Sequence, residues 1–232
     1  NQRLMQAELA LMQAELERKN SSAPGICSFS AQWAKMFWID LKYIFHQSYL
    51  ESLEKGILPG FQLTGVISLI PKKDKDITIL DNMRPITLLS IYYKIISGGL
   101  ANRLKIMLDK VIHPNQKAYL KGRYLGEITR SIMDVMEELE RENKSAAVIL
   151  VDFSKAFDSI SHNFIYNCLR ILNFGPKMVE YIAILLKNRS AQCNNAGHLS
   201  GTIHLSRGVP QGDPISAYLF IICLLYTSPS PR

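Results

Sequence analysis

The apolar positions of this chain change their period several times, and each change marks an element. Residues 4 to 9, Leu-Met-Gln-Ala-Glu-Leu, recur unchanged at 11 to 16. All are good helix formers. Leu4 with Leu11, and Leu9 with Leu16, make a short heptad-like stripe, though two heptads are too few for a coiled coil. The pattern predicts an N-terminal helix over 1–20, broken by Asn20-Ser21-Ser22-Ala23-Pro24-Gly25. Residues 30–54 place Trp33, Phe37, Trp38, Leu41, Ile44 and Phe45 mostly at three- and four-residue spacing, the mark of a helix with a core face. Gly65 to Ile70 reads as a strand stopped by Pro71, followed by the charged turn Lys72-Lys73-Asp74-Lys75-Asp76. A second apolar segment follows Arg84-Pro85-Ile86. Leu100, Leu104 and Leu108 share a helix face within 91–110. Gly98-Gly99 interrupt that helix, at roughly 1 kcal/mol per glycine relative to alanine.

Residues 127–143 predict a charged amphipathic helix. Ala146 to Val151 is continuously apolar, as a strand covered on both faces would be, so 146–153 is read as the central strand. Two helices are expected next, one over 162–172 ended by Gly175 and one opened by Pro176. Gln192 to Leu205 carries a turn at Asn194-Asn195-Ala196-Gly197 and predicts a hairpin. Asp213 is placed to cap a helix over Pro214 to Ile222. Strands and helices interleave without a regular βαβ period, which predicts an α+β fold.

The 232 residues, 47% of them hydrophobic, suffice for one sizeable core or two modest lobes. The formal charge of +7 suits a polyanionic partner, because cations that neutralise phosphates release counterions. The 4 cysteines are scattered with no Cys-x-x-Cys pair, which argues against a zinc site and a disulfide framework and for thiols in a reducing compartment. The 5 histidines are isolated and receive no role. No apolar run approaches a membrane span, so no membrane partner is expected. The chain starts with neither a methionine nor a signal peptide and reads as beginning mid-protein.

Chemistry concentrates in three places. Asp152 ends the apolar 146–151 run, where a carboxylate is expensive unless it meets a cation. Its hard oxygens suit magnesium, and taken alone it would equally be an ordinary strand-end aspartate. Lys155-Ala156-Phe157-Asp158 follows closely. Farther on comes Arg207-Gly208-Val209-Pro210-Gln211-Gly212-Asp213-Pro214, a glycine-flanked glutamine that opens a helix, with small residues that let a ligand approach the main chain. Upstream, Pro71-Lys72-Lys73 and Arg84-Pro85-Ile86 offer cations: Arg84 for bidentate phosphate contact, Lys72 and Lys73 as point charges or as a solvated turn.

Together these motifs resemble the fingers and palm of a reverse transcriptase, closest to the LINE-type (non-LTR) retrotransposon polymerases. The resemblance spans about residues 24–222, from Pro24-Gly25 through His113-Pro114-Asn115-Gln116-Lys117-Ala118-Tyr119-Leu120-Lys121-Gly122-Arg123 to the Gln211 motif. Ile26-Cys27-Ser28 departs from the family's usual acidic-glycine continuation, Ala118 stands where the family has glycine, and Pro210 where LINE enzymes often have arginine. The resemblance implies a right-hand polymerase fold: an N-terminal helix (1–20), a fingers-like region (21–124) and a partial palm (125–222). It implies a deoxynucleotide site of Lys72, Lys73, Arg84, Phe157, Gln211 and Gly212, with Phe157 excluding a 2′-hydroxyl. Gln116, Lys121, Arg123 and Arg207 would contact nucleic acid, and Asp152 and the Phe153 carbonyl would bind two magnesium ions. Its expected partners are an RNA template, a DNA primer or target and dNTPs, in a nuclear and cytoplasmic ribonucleoprotein.

The family completes its metal site with an Asp-Asp pair, and this sequence contains none. The chain is therefore expected to be a fragment inactive on its own. Residues 223–232 read as a non-native, adapter-derived tail. A group II intron-type reverse transcriptase/maturase and a non-catalytic nucleic-acid-binding remnant stay open as alternatives.

Overall fold

Ser90, two residues past the second strand, caps the longest described helix, its hydroxyl accepting from the Tyr93 amide at 3.2 Å. That helix, α5 (Ile91–Val111), is the axis of the core and buries Tyr93, Ile95, Leu100, Leu104 and Leu108. The computed structural model in which it is seen describes residues 2–19 and 23–227.

Gly98 and Gly99 do not break α5. Gly98 lies where α1 (Gln2–Arg18) crosses, and a methyl group there would collide with the Glu15 side chain. Close helix approach thus offsets the glycine cost. The duplicated hexapeptide has a structural reading too. Glu8 and Glu15 occupy equivalent positions, and each ends in ion pairs. Glu8 meets His46 at 2.9 Å and Arg103 at 3.6 Å, while Glu15 meets Lys19 at 2.8 Å and Arg18 at 3.6 Å. The helix expected over 30–54 is two, α2 (Ala31–Met36) and α3 (Trp38–Lys55), hinged at Phe37 and ended by Gly56 at φ 67°.

A short helix, α4 (Gly60–Leu63), runs directly into β1 (Thr64–Pro71), which pairs antiparallel with β2 (Met83–Leu88) and parallel with β3 (Ser190–Asn195). β3 also pairs with β4 (His198–Leu199) and β5 (Ile203–His204), giving the order β2-β1-β3-β4 with β5 off β3. The hairpin turn falls where expected, with Ala196 at φ 50° and Gly197 at φ 90°. The sheet therefore joins strands from both sides of residue 124.

The remaining helices are α6 (Gly126–Arg141), α7 (Ala156–Ser159), α8 (His162–Ile171), α9 (Pro176–Leu186) and α10 (Ser216–Thr227). Ile165, Leu169, Ile182, Leu185, Leu219 and Ile222 bring α8, α9 and α10 onto α5 in one cluster. The final helix continues past Ile222 to Thr227, and Cys223 is buried in the core. The rest of the expected tail, 228–232, lies outside the described residues. No described helix is long and apolar enough to cross a membrane.

The expected central strand is absent. Residues 146–153 form no strand, and Val148, Ile149, Leu150 and Val151 are exposed, Leu150 at 87%. A strand is stabilised by the neighbour that takes its amides and carbonyls. Among the described residues none pairs with this segment, and β1 already has β2 on one side and β3 on the other. The apolar run records an affinity for burial that the rest of the described chain does not meet.

Candidate nucleotide and nucleic-acid site

The glycine-glutamine loop is stitched to the residues around Phe157. Gly208 N donates to Ile160 O at 2.7 Å, Val209 N donates to Phe157 O at 2.8 Å, and Ser161 and Arg207 form an antiparallel bridge. Gly208 is buried at φ 79°, and a Cβ there would lie 2.8 Å from the Asp158 carbonyl oxygen, so the position needs glycine twice over. His162 donates from Nε2 to the Gly208 carbonyl at 2.9 Å, and burial pushes its imidazole below the ordinary histidine range. The side-chain amide of Gln211 donates to the Asp158 carboxylate at 3.4 Å, while the Gln211 main-chain carbonyl accepts from Thr87 N of β2 at 3.2 Å. Gly212, at φ 102°, lies open against the Thr87 carbonyl.

Phe157 itself is half-buried, its ring 5.2 Å from that of Phe220 on α10. Phe153 approaches the same ring edge-on at 6.2 Å. Lys155, between them, takes the left-handed conformation (φ 48°, ψ 40°) to begin α7. The structure thus brings Phe157, Gln211 and Gly212 together beside β2, with Asp158 holding the glutamine.

Asp213 is the functional residue whose role was least visible in the sequence. It caps α10 as expected, accepting from Ile215 N at 3.4 Å, but it is buried, and its carboxylate also accepts from Ser97 Oγ at 2.5 Å and Tyr93 OH at 3.1 Å. Burial pushes its pKa up, and these donors together with the Arg189 charge oppose that rise. Tyr93 is driven well above the phenol range by burial and by Asp213. The network anchors the Gln211 turn to α5. The only sequence signal for it was the cap position, because Ser97 and Tyr93 look like ordinary helix residues.

The other expected residues are more scattered. Asp152 is exposed, one residue from Phe153, and not at the end of a buried strand. Among the described residues no group of three His, Cys, Asp or Glu side chains could hold a metal ion. Asp152 and the Phe153 carbonyl do not by themselves fit a two-magnesium site. Lys72 closes the turn between β1 and β2, with Nζ donating to Asp81 O at 2.7 Å. Lys73 is exposed, and Arg84 is exposed on β2, three residues before Thr87. Arg123 donates to the carbonyls of His113 (2.6 Å), Gln116 (2.8 Å) and Ile112 (3.1 Å), so it holds the 112–123 turn together. In that turn Tyr119, not Ala118, takes the left-handed conformation (φ 63°). Gln116 is half-exposed, and Lys121 and Arg207 are exposed.

A glutamine turn is thus latched to an aromatic elbow, beside a strand that carries an exposed arginine. Residues 70–229 match the reverse transcriptase (RNA-dependent DNA polymerase) family, and the chain belongs to it. It is 32% identical over 214 residues to the transposon TX1 uncharacterized 149 kDa protein of Xenopus laevis, covering 92% of this chain and 16% of that protein. It is 33% identical over 171 residues to the retrovirus-related Pol polyprotein from the type-1 retrotransposable element R2 of Popillia japonica, covering 70% of this chain and 23% of the relative. It is 26% identical over 174 residues to the RNA-directed DNA polymerase from mobile element jockey of Drosophila melanogaster, covering 73% and 19%. The resemblance to retrotransposon reverse transcriptases is thereby borne out, and the chain spans less than a quarter of each of these relatives.

Proposed function

We propose that residues 24–222 select and hold the incoming deoxynucleotide in an RNA-templated DNA polymerase of a non-LTR retrotransposon. The observation that carries this reading is the stitch between Phe157 and the Gln211 loop, which sets an aromatic ring and an amide on one site. Backed by Phe220, the Phe157 ring has little room to yield to a 2′-hydroxyl, so steric exclusion of ribonucleotides follows. Gln211 contacts the nucleotide when its long hydrogen bond to Asp158 opens, and Gly212 leaves the main chain approachable. Arg84 and Lys73 take the triphosphate, and Lys72 adds charge where it closes the turn. Lys121, Gln116 and Arg207 line the path of the template–primer backbone. Arg123 acts on that path through the turn it holds, not by direct contact. Asp152 is one acidic donor to a divalent ion. In this reading, 21–124 serve as fingers and 125–222 as palm.

The test is single-nucleotide incorporation by a full-length polymerase carrying residues 24–222. Phe157→Ala is expected to raise the ribonucleotide-to-deoxyribonucleotide ratio by at least about tenfold, the scale of removing a steric block in a pocket, with template binding intact. An unchanged ratio returns Phe157 to a packing role against Phe220.

A further inference from the structure

We infer that the recess between the start of α8, the end of α9 and β5 is a phosphate site for a nucleic-acid strand, separate from the nucleotide site. The recess measures about 530 Å³ and is lined by His162, Asn163, Lys187, Arg189, His204 and Ser206 among others, with no acidic residue in its lining. Arg189 is the feature that points to a ligand. Its side chain is only 2% exposed, and its Nε has no hydrogen-bond partner. Among the described residues no carboxylate lies within ion-pair distance of it, and Asp213 reaches it only as a longer-range charge.

A buried guanidinium is normally paired and hydrogen-bonded, because its desolvation is otherwise uncompensated. A phosphate matches its planar fork of donors. Lys187, exposed at the end of α9, and His204, exposed on β5, add donors at the mouth.

The shape favours a strand over a free ion. A second recess of about 440 Å³ adjoins the first, sharing Tyr166 and Ala183, and carries Arg170 together with Glu180, whose charge is met by Lys177 at 2.9 Å. The two run along the α8–α9 groove, longer than one phosphate needs. Tyr166 stands half-buried between them, a ring on which a base can stack. His162 also holds the Gly208 carbonyl, so the recess abuts the back of the Gln211 loop. The choice of a polynucleotide rests on the polymerase reading. The anion-binding chemistry of the recess does not.

The experiment is NMR of the histidine side chains of the full chain, titrated separately with inorganic phosphate and with a short single-stranded RNA, alongside fluorescence anisotropy of the RNA at several salt concentrations. RNA is expected to move the His204 and His162 signals. Lys187→Gln, a change at an exposed position, is expected to weaken RNA binding and reduce the salt slope by about 0.7, the value for one phosphate on a single strand. Arg189→Lys is expected to keep the histidine response in weakened form, and Arg189→Met to lose it.

Phosphate moving these signals while RNA leaves them still would overturn the strand assignment. RNA binding with static histidines and no effect of Lys187→Gln would overturn the site and leave the polymerase reading standing. Failure of wild-type chain to bind RNA at all would overturn the strand proposal. A failed polymerase reading shows separately, as unchanged sugar discrimination in Phe157→Ala with the phosphate response intact.

Discussion

Asp213 is a buried carboxylate whose partners are two hydroxyls, the Ile215 amide and a long-range arginine, so its titration should be felt by the whole fold. Its pKa is raised by burial from the ordinary 3.8. Between the ordinary and the raised value the native chain keeps a proton that the unfolded chain has lost, so Asp213 makes stability fall as pH rises through that window. His162 works in the other direction: its pKa is lowered from 6.5, so it costs stability as pH falls below that value. Urea midpoints across pH, compared between wild type and Asp213→Asn, isolate the first effect. The advantage of wild type over the variant is expected to shrink as pH rises above the ordinary carboxylate range, and parallel curves would count against it. At this scale the sequence was legible where a motif is contiguous, as in Phe157 and Gln211. It was not legible where partners are distant, since Ser97 and Tyr93 stand 116 and 120 residues from Asp213.

Helices were legible as elements because their 3.6-residue period is written locally: α5, α8 and α9 fall where the apolar spacing put them, while α10 (Ser216–Thr227) runs past the expected end at Ile222. What the spacing missed was the contact that justifies Gly98. Alanine is the better helix former by about 1 kcal/mol, yet Gly98→Ala is expected to destabilise the chain by about 1–3 kcal/mol through overpacking against Glu15. Thermal denaturation gives the sign, and stabilisation would mean that α1 does not lie tight on α5.

The strand 146–153 misled for a different reason: an apolar run states its own preference but not the presence of a partner. Ala146, Ala147 and Val148 at its start and the apolar face of α6, including Ile128, Val135 and Met136, border an open recess of about 600 Å³. The isolated chain is expected to bind a hydrophobic dye and to self-associate. Ile149→Lys with Leu150→Lys, at positions 83% and 87% exposed, is expected to reduce both without lowering the melting temperature. A large loss of stability would show that these residues are buried after all.

At the scale of the molecule, charge and motif order made the family readable, but the sheet was not. The parallel pairing of Thr64–Ser68 with Ser190–Asn194 joins segments whose sequences carry no sign of each other. That pairing lets Lys72, Lys73 and Arg84 on the β1–β2 hairpin and the Gln211 loop share one scaffold, with the Thr87–Gln211 hydrogen bond as the direct link. The net charge of +7 fits a chain that lies along phosphates. The acid that the polymerase reading most depends on is Asp152, which among the described residues has no hydrogen-bond or ion-pair partner that would give it a structural role. The most direct measurement is primer extension on an RNA template by a full-length polymerase carrying residues 24–222, with Asp152 intact or changed to asparagine. The substitution keeps the shape and removes the charge. Extension by the intact enzyme and a loss of more than about a hundredfold in Asp152→Asn, with RNA binding unchanged, is the expected result. Extension by the variant within about tenfold of the intact enzyme would contradict the assignment.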